Sequence, residues 1–244
     1  MELTAILIGF ALGFVASYLS QWPVPPKVLW YRYRSGKIRE RNCFNLPKGK
    51  IYIIPSSSSA DLSIYVSQNA MACVQAVTKM LAKFGYREGD NFELVFQYPD
   101  QDKVSEEVRT ENLILICGPK TNKLVDSILR DFPELLSSVE VELAPVPTLI
   151  YKGTRYVYAN NRDWALMAVK RNPYNPRRKI ILLFGLRSIG TKGAGSFYAN
   201  IGWAQARASV AERLETRSGE IEVLLRIDHT DNYRTITTVS AVGT

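Results

Sequence analysis

The chain has little of what metal and disulfide sites require. His229 is the only histidine among 244 residues, and the three cysteines are Cys43, Cys73 and Cys117. A single imidazole excludes a histidine-rich metal site, and the cysteine spacing suits neither a zinc site nor a disulfide framework. We therefore expect idle thiols in a reducing compartment, and neither a metal nor a cofactor.

Two familiar nucleotide-binding motifs are also absent. Gly185 and Gly190 have Walker A spacing, but Thr191 precedes Lys192, whereas that motif needs a lysine followed by serine or threonine. No GxGxxG motif follows the first predicted strand. An ATPase and a dinucleotide-dependent oxidoreductase are therefore not expected. No carboxylate pair or nucleophile–base set stands out, so we assign no catalytic residue.

Negative charge is missing from one long stretch, since no acidic residue lies between Asp163 and Glu212. This pattern indicates either a solvated basic surface or an anion-binding site, and the sequence leaves both open. Eight basic residues lie in the same stretch: Lys170, Arg171, Arg177, Arg178, Lys179, Arg187, Lys192 and Arg207.

The segment from Leu3 to Pro26 has no charged residue of either sign. An apolar run of about 20 residues spans a bilayer as a helix, and we predict a single transmembrane helix over residues 1–22. A cleaved signal peptide is the alternative, but no basic residue precedes the run. The basic residues follow it instead, because residues 23–50 hold eight of them against one acidic residue.

This charge distribution predicts an orientation. The positive-inside rule places the C-terminal domain in the cytoplasm, as in a single-pass protein of the cell inner membrane with its N-terminus outside. Residues 23–50 then form a basic juxtamembrane linker that contacts membrane lipids. Gly9, Gly13 and Ser17 recur at intervals of four residues. Such spacing lets two helices pack closely and predicts a homo-oligomer.

Residues 51–244 are long enough for one domain. Three units repeat the order strand, polar or glycine-rich turn, helix, with strands beginning at Ile51, Asn112 and Lys179. This order predicts an α/β domain of three layers, with a mainly parallel sheet between helices. Ile221–Ile227 and Tyr233–Val239 are expected to form an antiparallel edge.

Three loops follow the carboxyl ends of these strands, where open α/β sheets bind ligands. They are Pro55–Asp61, Cys117–Asn122 and Gly185–Gly195, and each precedes a predicted helix whose N-terminus favours phosphate. We therefore predict a phosphate site formed by Ser57, Ser58, Lys120, Thr121, Asn122, Arg187, Ser188, Thr191 and Lys192.

Three motifs carry a family resemblance. NLILICGPKTN at 112–122, NPYNP at 172–176 and FGLRSIGTKGA at 184–194 resemble a Rossmann-like sensor module of bacterial conflict (antiphage defence) systems. In such systems a membrane helix is fused to a cytoplasmic nucleotide-sensing domain, and sensing triggers membrane disruption. Cys117 stands where that pattern has a glycine. The resemblance implies a sensor or effector role.

Three hypotheses follow for the function. The first is a membrane-bound sensor–effector whose domain binds a phosphorylated ligand, either a nucleotide signal or a short oligonucleotide, and thereby controls self-association of the membrane helix. The second is a membrane-tethered enzyme that hydrolyses a nucleotide or cleaves its glycosidic bond. The third is a scaffold that binds a protein partner, such as one encoded nearby.

Overall fold

A computed structural model describes residues 46, 49–56, 58–60, 63–96, 104–142, 145–199, 220–230 and 236–243. In chain order the elements are β1 (Ile51–Pro55), β2 (Ser58–Ala60), β3 (Ser63–Tyr65), α1 (Gln68–Lys83), β4 (Phe92–Leu94), α2 (Glu106–Arg109), β5 (Asn112–Ile116), α3 (Lys123–Asp131), a 3-10 helix (Pro133–Leu136), β6 (Val139–Glu142), β7 (Thr148–Tyr151), β8 (Thr154–Val157), β9 (Arg162–Asn172), β10 (Asn175–Gly185), α4 (Ser188–Ala199), β11 (Ile221–His229) and β12 (Ile236–Gly243).

Seven strands form one mixed sheet in the order β12-β11-β9-β10-β5-β1-β4. The strands from β10 to β4 are parallel to one another. The pairings of β9 with β10, β9 with β11, and β11 with β12 are antiparallel. The prediction of a mainly parallel sheet is therefore wrong, because parallel and antiparallel pairings are equal in number. The predicted antiparallel pair that closes the chain is confirmed as β11 and β12.

The predicted membrane helix is corrected by a second finding. In the part of the chain that the structure describes, no helix combines the length and apolar character that a membrane crossing needs. The fold-class prediction of a transmembrane helix joined to the domain is therefore not carried further. Residues 1–22, with the predicted packing face of Gly9, Gly13 and Ser17, lie outside the described residues, as does most of the 23–50 segment.

Both faces of the seven-stranded sheet are covered, which gives the domain three layers. Successive side chains of a strand point to opposite faces, so Ile51 and Ile53 belong to one hydrophobic cluster and Tyr52 and Ile54 to the other. The first cluster packs the sheet against α1 and α4. The second packs it against α3 and a small antiparallel sheet of β6, β7 and β8.

Strand β9 is the main element that the sequence analysis did not predict. Its centre, Ala165–Val169, is buried between β10 and β11. A short run of buried apolar residues lacks the alternation of a half-buried strand, and alanine, leucine and methionine favour helices. The hairpin to β10 coincides with the NPYNP motif at 172–176. Asn172 fixes this hairpin by donating to the carbonyl oxygens of Arg109 and Glu111, at 2.6 and 2.7 Å.

Helix α1 does not begin directly after the Pro55–Asp61 loop, where the sequence analysis places a helix. Residues 63–65 form strand β3 instead, which pairs with β2. The helix starts at Gln68 because Ser67 caps it, with its hydroxyl oxygen accepting from the Ala70 N–H at 3.2 Å.

The predicted glycine-rich loop 185–195 is mostly helix, because α4 starts at Ser188. Glycine weakens an isolated helix, but here it permits close packing. A Cβ at Gly193 would lie 2.5 Å from Ile227 Cδ1, and one at Gly195 would collide with Cys73 Sγ. The glycines therefore let α4 pack tightly against β11 and α1.

The small sheet is held to the large one at two points. At one end, the Glu222 carboxylate accepts from the Ser138 N–H at 3.1 Å and pairs with Lys170 Nζ at 2.6 Å. Their side chains are only 6% and 13% exposed, respectively. At the other end, the Trp164 indole donates to the Val157 carbonyl oxygen at 3.1 Å. These contacts hold the small sheet beside the carboxyl end of β10.

Candidate functional site

A cavity of about 350 Å³ lies at the carboxyl ends of β1, β5 and β10. These strands are neighbours in the sheet, so the residues that follow them converge. Ser56 follows β1, residues 117–121 follow β5, and residues 186–188 follow β10, and all of them line the cavity. The three loops predicted to bind phosphate thus contribute to one site of a size typical for small molecules.

The cavity has a polar part and an apolar part. The apolar part comes from β10 and its continuation and from the segment around the small sheet, and its residues are Val141, Pro147, Phe184 and Leu186. Hydroxyl groups come from five residues, namely Ser56, Ser67, Thr121, Ser188 and Thr191. A ligand that combines polar and apolar groups would match this lining.

Two cations lie at the cavity, and the described lining contains no carboxylate. Lys120 and Arg187 are both exposed and both line it. The Arg187 guanidinium carbon lies 5.4 Å from the centroid of the Tyr158 ring, a cation–π contact. The Tyr158 ring stacks on His229 with centroids 6.2 Å apart. The Tyr158–His229 pair therefore positions the Arg187 guanidinium. With these two cations, the described lining carries net positive charge.

Two hydroxyl groups of α4 are fixed by neighbouring elements. The Ser188 hydroxyl oxygen accepts from Asn69 Nδ2 of α1 at 3.0 Å. The Thr191 hydroxyl oxygen accepts from the Gly185 N–H at 3.1 Å, although Thr191 itself is only 2% exposed. Ser188 thus presents a positioned hydroxyl to the cavity, whereas Thr191 mainly closes the turn between β10 and α4.

Cys117 occupies the left-handed region of backbone conformation, with φ of 78°. Residues other than glycine adopt this region only at a steric cost, so the backbone at Cys117 is strained. Its side chain lines the cavity but is nearly buried. Burial raises the pKa of the thiol, and the hydroxyls of Ser56, Thr191 and Thr121 oppose this by hydrogen bonding. Burial of Cys117 therefore disfavours its reactive thiolate form.

Asp163 is the residue of the site that the sequence analysis missed. It is fully buried at the start of β9, and its Oδ2 accepts from the N–H groups of Arg187 and Gly190 at 3.1 and 2.7 Å. Oδ1 accepts from the Trp164 N–H at 2.8 Å. The carboxylate thus fixes the turn that carries Arg187. One signal was visible, since Asp163 is the last acidic residue before the long basic stretch.

The protonation of Asp163 should make folding stability depend on pH. Burial raises the pKa of Asp163 from 3.8 to about 6, against the lowering effect of its three backbone hydrogen bonds and of His229. Because the folded-state pKa lies above the unfolded one, the stabilisation is complete below pH 3.8 and is lost as the pH rises through 6. The loss amounts to about 3 kcal/mol.

We expect this loss to appear as a pH-dependent difference in the free energy of unfolding between the wild-type protein and Asp163→Asn, which cannot titrate at this position. Urea unfolding from pH 4 to pH 8 measures this difference, and the wild type should lose stability relative to the variant across that range. A difference that is constant with pH would contradict the assignment. Other carboxylates titrate in both proteins and cancel in the difference.

Two of the remaining predicted residues lie outside the lining. Asn122 is fully buried, and all its described side-chain hydrogen bonds join backbone groups of the surrounding strands and helix. Lys192 is half-buried on α4 and is not part of the lining. Ser58 belongs to β2. Ser57 lies outside the described residues.

No protein-family model, curated protein or solved structure matches this chain. The resemblance to bacterial nucleotide sensors therefore remains a prediction from the sequence motifs.

Proposed function

We propose that the cavity at the carboxyl ends of β1, β5 and β10 binds a phosphorylated ligand. The observation that supports this most is the convergence of three loops that bring Lys120 and Arg187 to one cavity without a described carboxylate in its lining. Lysine and arginine form charge-assisted hydrogen bonds with phosphate, each stronger than a bond between neutral groups.

The hydroxyl groups and the geometry of the sheet add to this support. Ser188 is the first residue of α4 and lines the cavity, where its hydroxyl group can donate to a phosphate oxygen. The apolar lining of the cavity provides a second surface, against which a sugar or base could pack. The sequence resemblance makes a nucleotide signal the first ligand to test, with a short oligonucleotide as the larger alternative.

Binding is a better account of this site than turnover. Hydrolysis or glycosidic cleavage needs a general acid or base within reach of the substrate, and the described lining offers neither a carboxylate nor an imidazole. The thiol of Cys117 is kept protonated by burial, which raises its pKa. The proposal is therefore that of a ligand-binding sensor domain in residues 46–243.

Binding of the purified full-length chain to a panel of nucleotides tests this proposal. The panel contains nucleoside mono-, di- and triphosphates, cyclic nucleotides and short oligonucleotides, and isothermal titration calorimetry measures their affinity. At least one ligand should bind, and Arg187→Glu should weaken it by about tenfold to a hundredfold, since a charged hydrogen bond is replaced by repulsion.

The matched control is Arg177→Glu. Arg177 is also exposed and also lies on β10, but near the opposite end of that strand. It should leave affinity unchanged apart from the small effect of net charge at physiological ionic strength. No binding across the panel, or equal losses in the two variants, would refute the proposal. Light scattering with and without ligand measures the predicted self-association in the same samples.

A further inference from the structure

The end of α4 that faces the cavity already holds an anion of the protein itself. The first turn of a helix leaves its N–H groups without partners, and a bound phosphate commonly accepts from them. Here the N–H groups of Arg187 and Gly190 donate to the buried Asp163 carboxylate. A ligand phosphate therefore meets a helix end whose donors are partly used.

This helix end also lacks the space for a phosphate group. A Cβ at Gly190 would lie 2.6 Å from Asp163 Oδ2 and 2.9 Å from Gly185 Cα. Asp163 is fully buried, so no rearrangement of a surface side chain would release the two N–H groups. The cavity remains open on the other side of the turn, where Arg187 and Ser188 line it.

Several charged or titratable groups surround Asp163. On its own strand, the Arg162 guanidinium pairs with Asp228 of β11 at 3.3 Å, and Arg226 pairs with the same carboxylate at 3.0 Å. His229 ends β11 and attracts the Asp163 charge. From the turn before α4 comes Arg187, whose N–H donates to Asp163 and whose guanidinium lies against Tyr158.

We infer that Asp163 is a built-in competitor that sets the affinity of the cavity for anions. Its carboxylate takes the helix-end donors and repels a ligand phosphate, so the phosphate is recognised by the side chains of Lys120, Arg187 and Ser188. This inference rests on the proposed function of the cavity. The Arg187 N–H donates to Asp163 Oδ2 at 3.1 Å, and the guanidinium lies one arginine side chain further, so we take roughly 8 Å as the separation between a ligand on Arg187 and the carboxylate.

Protonation of Asp163 then strengthens anion binding. Burial raises the pKa of Asp163 to about 6, so its charge changes within an accessible pH range. At a separation of roughly 8 Å in a medium of effective dielectric constant 20, removing a unit charge changes affinity for an anion by roughly tenfold or more. The effect is largest for a ligand whose own charge is fixed.

Sulfate is the probe that tests this inference, because its charge is constant from pH 5 to pH 8. Equilibrium dialysis of labelled sulfate against the full-length chain measures affinity at constant ionic strength. Wild-type affinity should rise roughly tenfold between pH 8 and pH 5. Asp163→Asn should bind at pH 8 about as tightly as the wild type does at pH 5, and its affinity should depend little on pH.

Two controls separate the possible causes. Asp126→Asn makes the same chemical change on the exposed surface of α3 and should behave as the wild type. His229→Asn should retain a rise in affinity at low pH, because Asp163 still titrates in it. Circular dichroism verifies that each variant is folded. If Asp163→Asn does not fold, a rise in sulfate affinity at low pH in both the wild type and His229→Asn supports the inference, and its absence in either overturns it.

The outcomes distinguish this inference from the proposed function. If wild-type chain binds sulfate with no rise at low pH, or if folded Asp163→Asn binds equally or more weakly at pH 8, Asp163 is only a structural residue of the turn and the inference is overturned. If no variant binds sulfate at any pH and the nucleotide panel is also negative, the proposed function itself fails.

Discussion

Asn122→Ala is expected to lower the free energy of unfolding by about 4 kcal/mol, more than any other single change at the site. The Asn122 Nδ2 donates to the carbonyl oxygens of Ile54 and Ile116, both at 3.0 Å. Its Oδ1 accepts from the N–H groups of Leu124 and Val125 at 3.1 and 3.3 Å. Alanine leaves these four backbone groups without their side-chain partner in a buried place.

Urea unfolding followed by circular dichroism measures this loss, with Thr121→Ala as the control. Thr121 is the neighbouring residue, but it is exposed, and its hydroxyl makes a long 3.5 Å contact with the Gly118 carbonyl oxygen and a contact with the Cys117 thiol. Its replacement should cost less than about 1 kcal/mol. In a binding assay the order should be reversed. Thr121→Ala should weaken ligand binding more than Asn122→Ala does, because Thr121 lines the cavity. Equal stability of the two variants would show that Asn122 does not join the strands to α3.

Gly190→Ala is the substitution with the second largest expected effect on stability, a loss of about 2 kcal/mol in the free energy of unfolding. Alanine raises helix propensity by about 1 kcal/mol, so an exposed glycine of α4 would gain from the change. At Gly190 the new methyl group meets the Asp163 carboxylate and the backbone of Gly185, neither of which can withdraw. Both the packing of α4 and the turn carrying Arg187 should be disturbed, so ligand affinity should fall as well.

Gly193→Ala is the matched control on the same helix. There the three nearest atoms to the new methyl group all belong to the fully buried side chain of Ile227, and none of them belongs to the turn that carries Arg187. We expect a loss of stability of about 1 to 2 kcal/mol from overpacking, with ligand affinity unchanged. Urea unfolding and ligand titration compare the two variants, and an equal fall in ligand affinity at Gly193 and Gly190 would contradict the account of the turn.

The sequence predicted the part of the fold in which local pattern and tertiary structure agree. The strands starting at Ile51 and Asn112 are short apolar runs followed by polar turns, and they form neighbouring parallel strands. Their carboxyl ends meet the end of β10 in the sheet, which brings Lys120 and Arg187 to one cavity. This edge of the sheet is where open α/β sheets bind ligands, and so it could be predicted from the order of the elements.

The elements whose conformation depends on contacts distant in sequence could not be predicted from local pattern. β9 is a run of helix-favouring residues that becomes a strand because β10 and β11 bury it on both sides. The glycines of α4 suggested a loop, although their purpose is close contact with Asp163, Ile227 and Cys73. The sheet is mixed because β9 pairs antiparallel with both β10 and β11.

The individual site residues show the same division. Asn122 was predicted to bind phosphate, but a polar residue before a helix is as often a cap, and only the surrounding carbonyl groups reveal that role. Asp163 carries no local motif at all. Its importance comes from the N–H groups of Arg187 and Gly190, which are distant in sequence and adjacent in space.

The most direct test of the central claim is a crystal structure of the full-length chain with a bound ligand from the nucleotide panel. The account predicts a phosphate group in the cavity, within about 3 Å of the Arg187 guanidinium and the Ser188 hydroxyl, with Lys120 nearby and the Asp163 carboxylate still on its N–H groups. A ligand bound elsewhere on the protein, with this cavity empty, would contradict it.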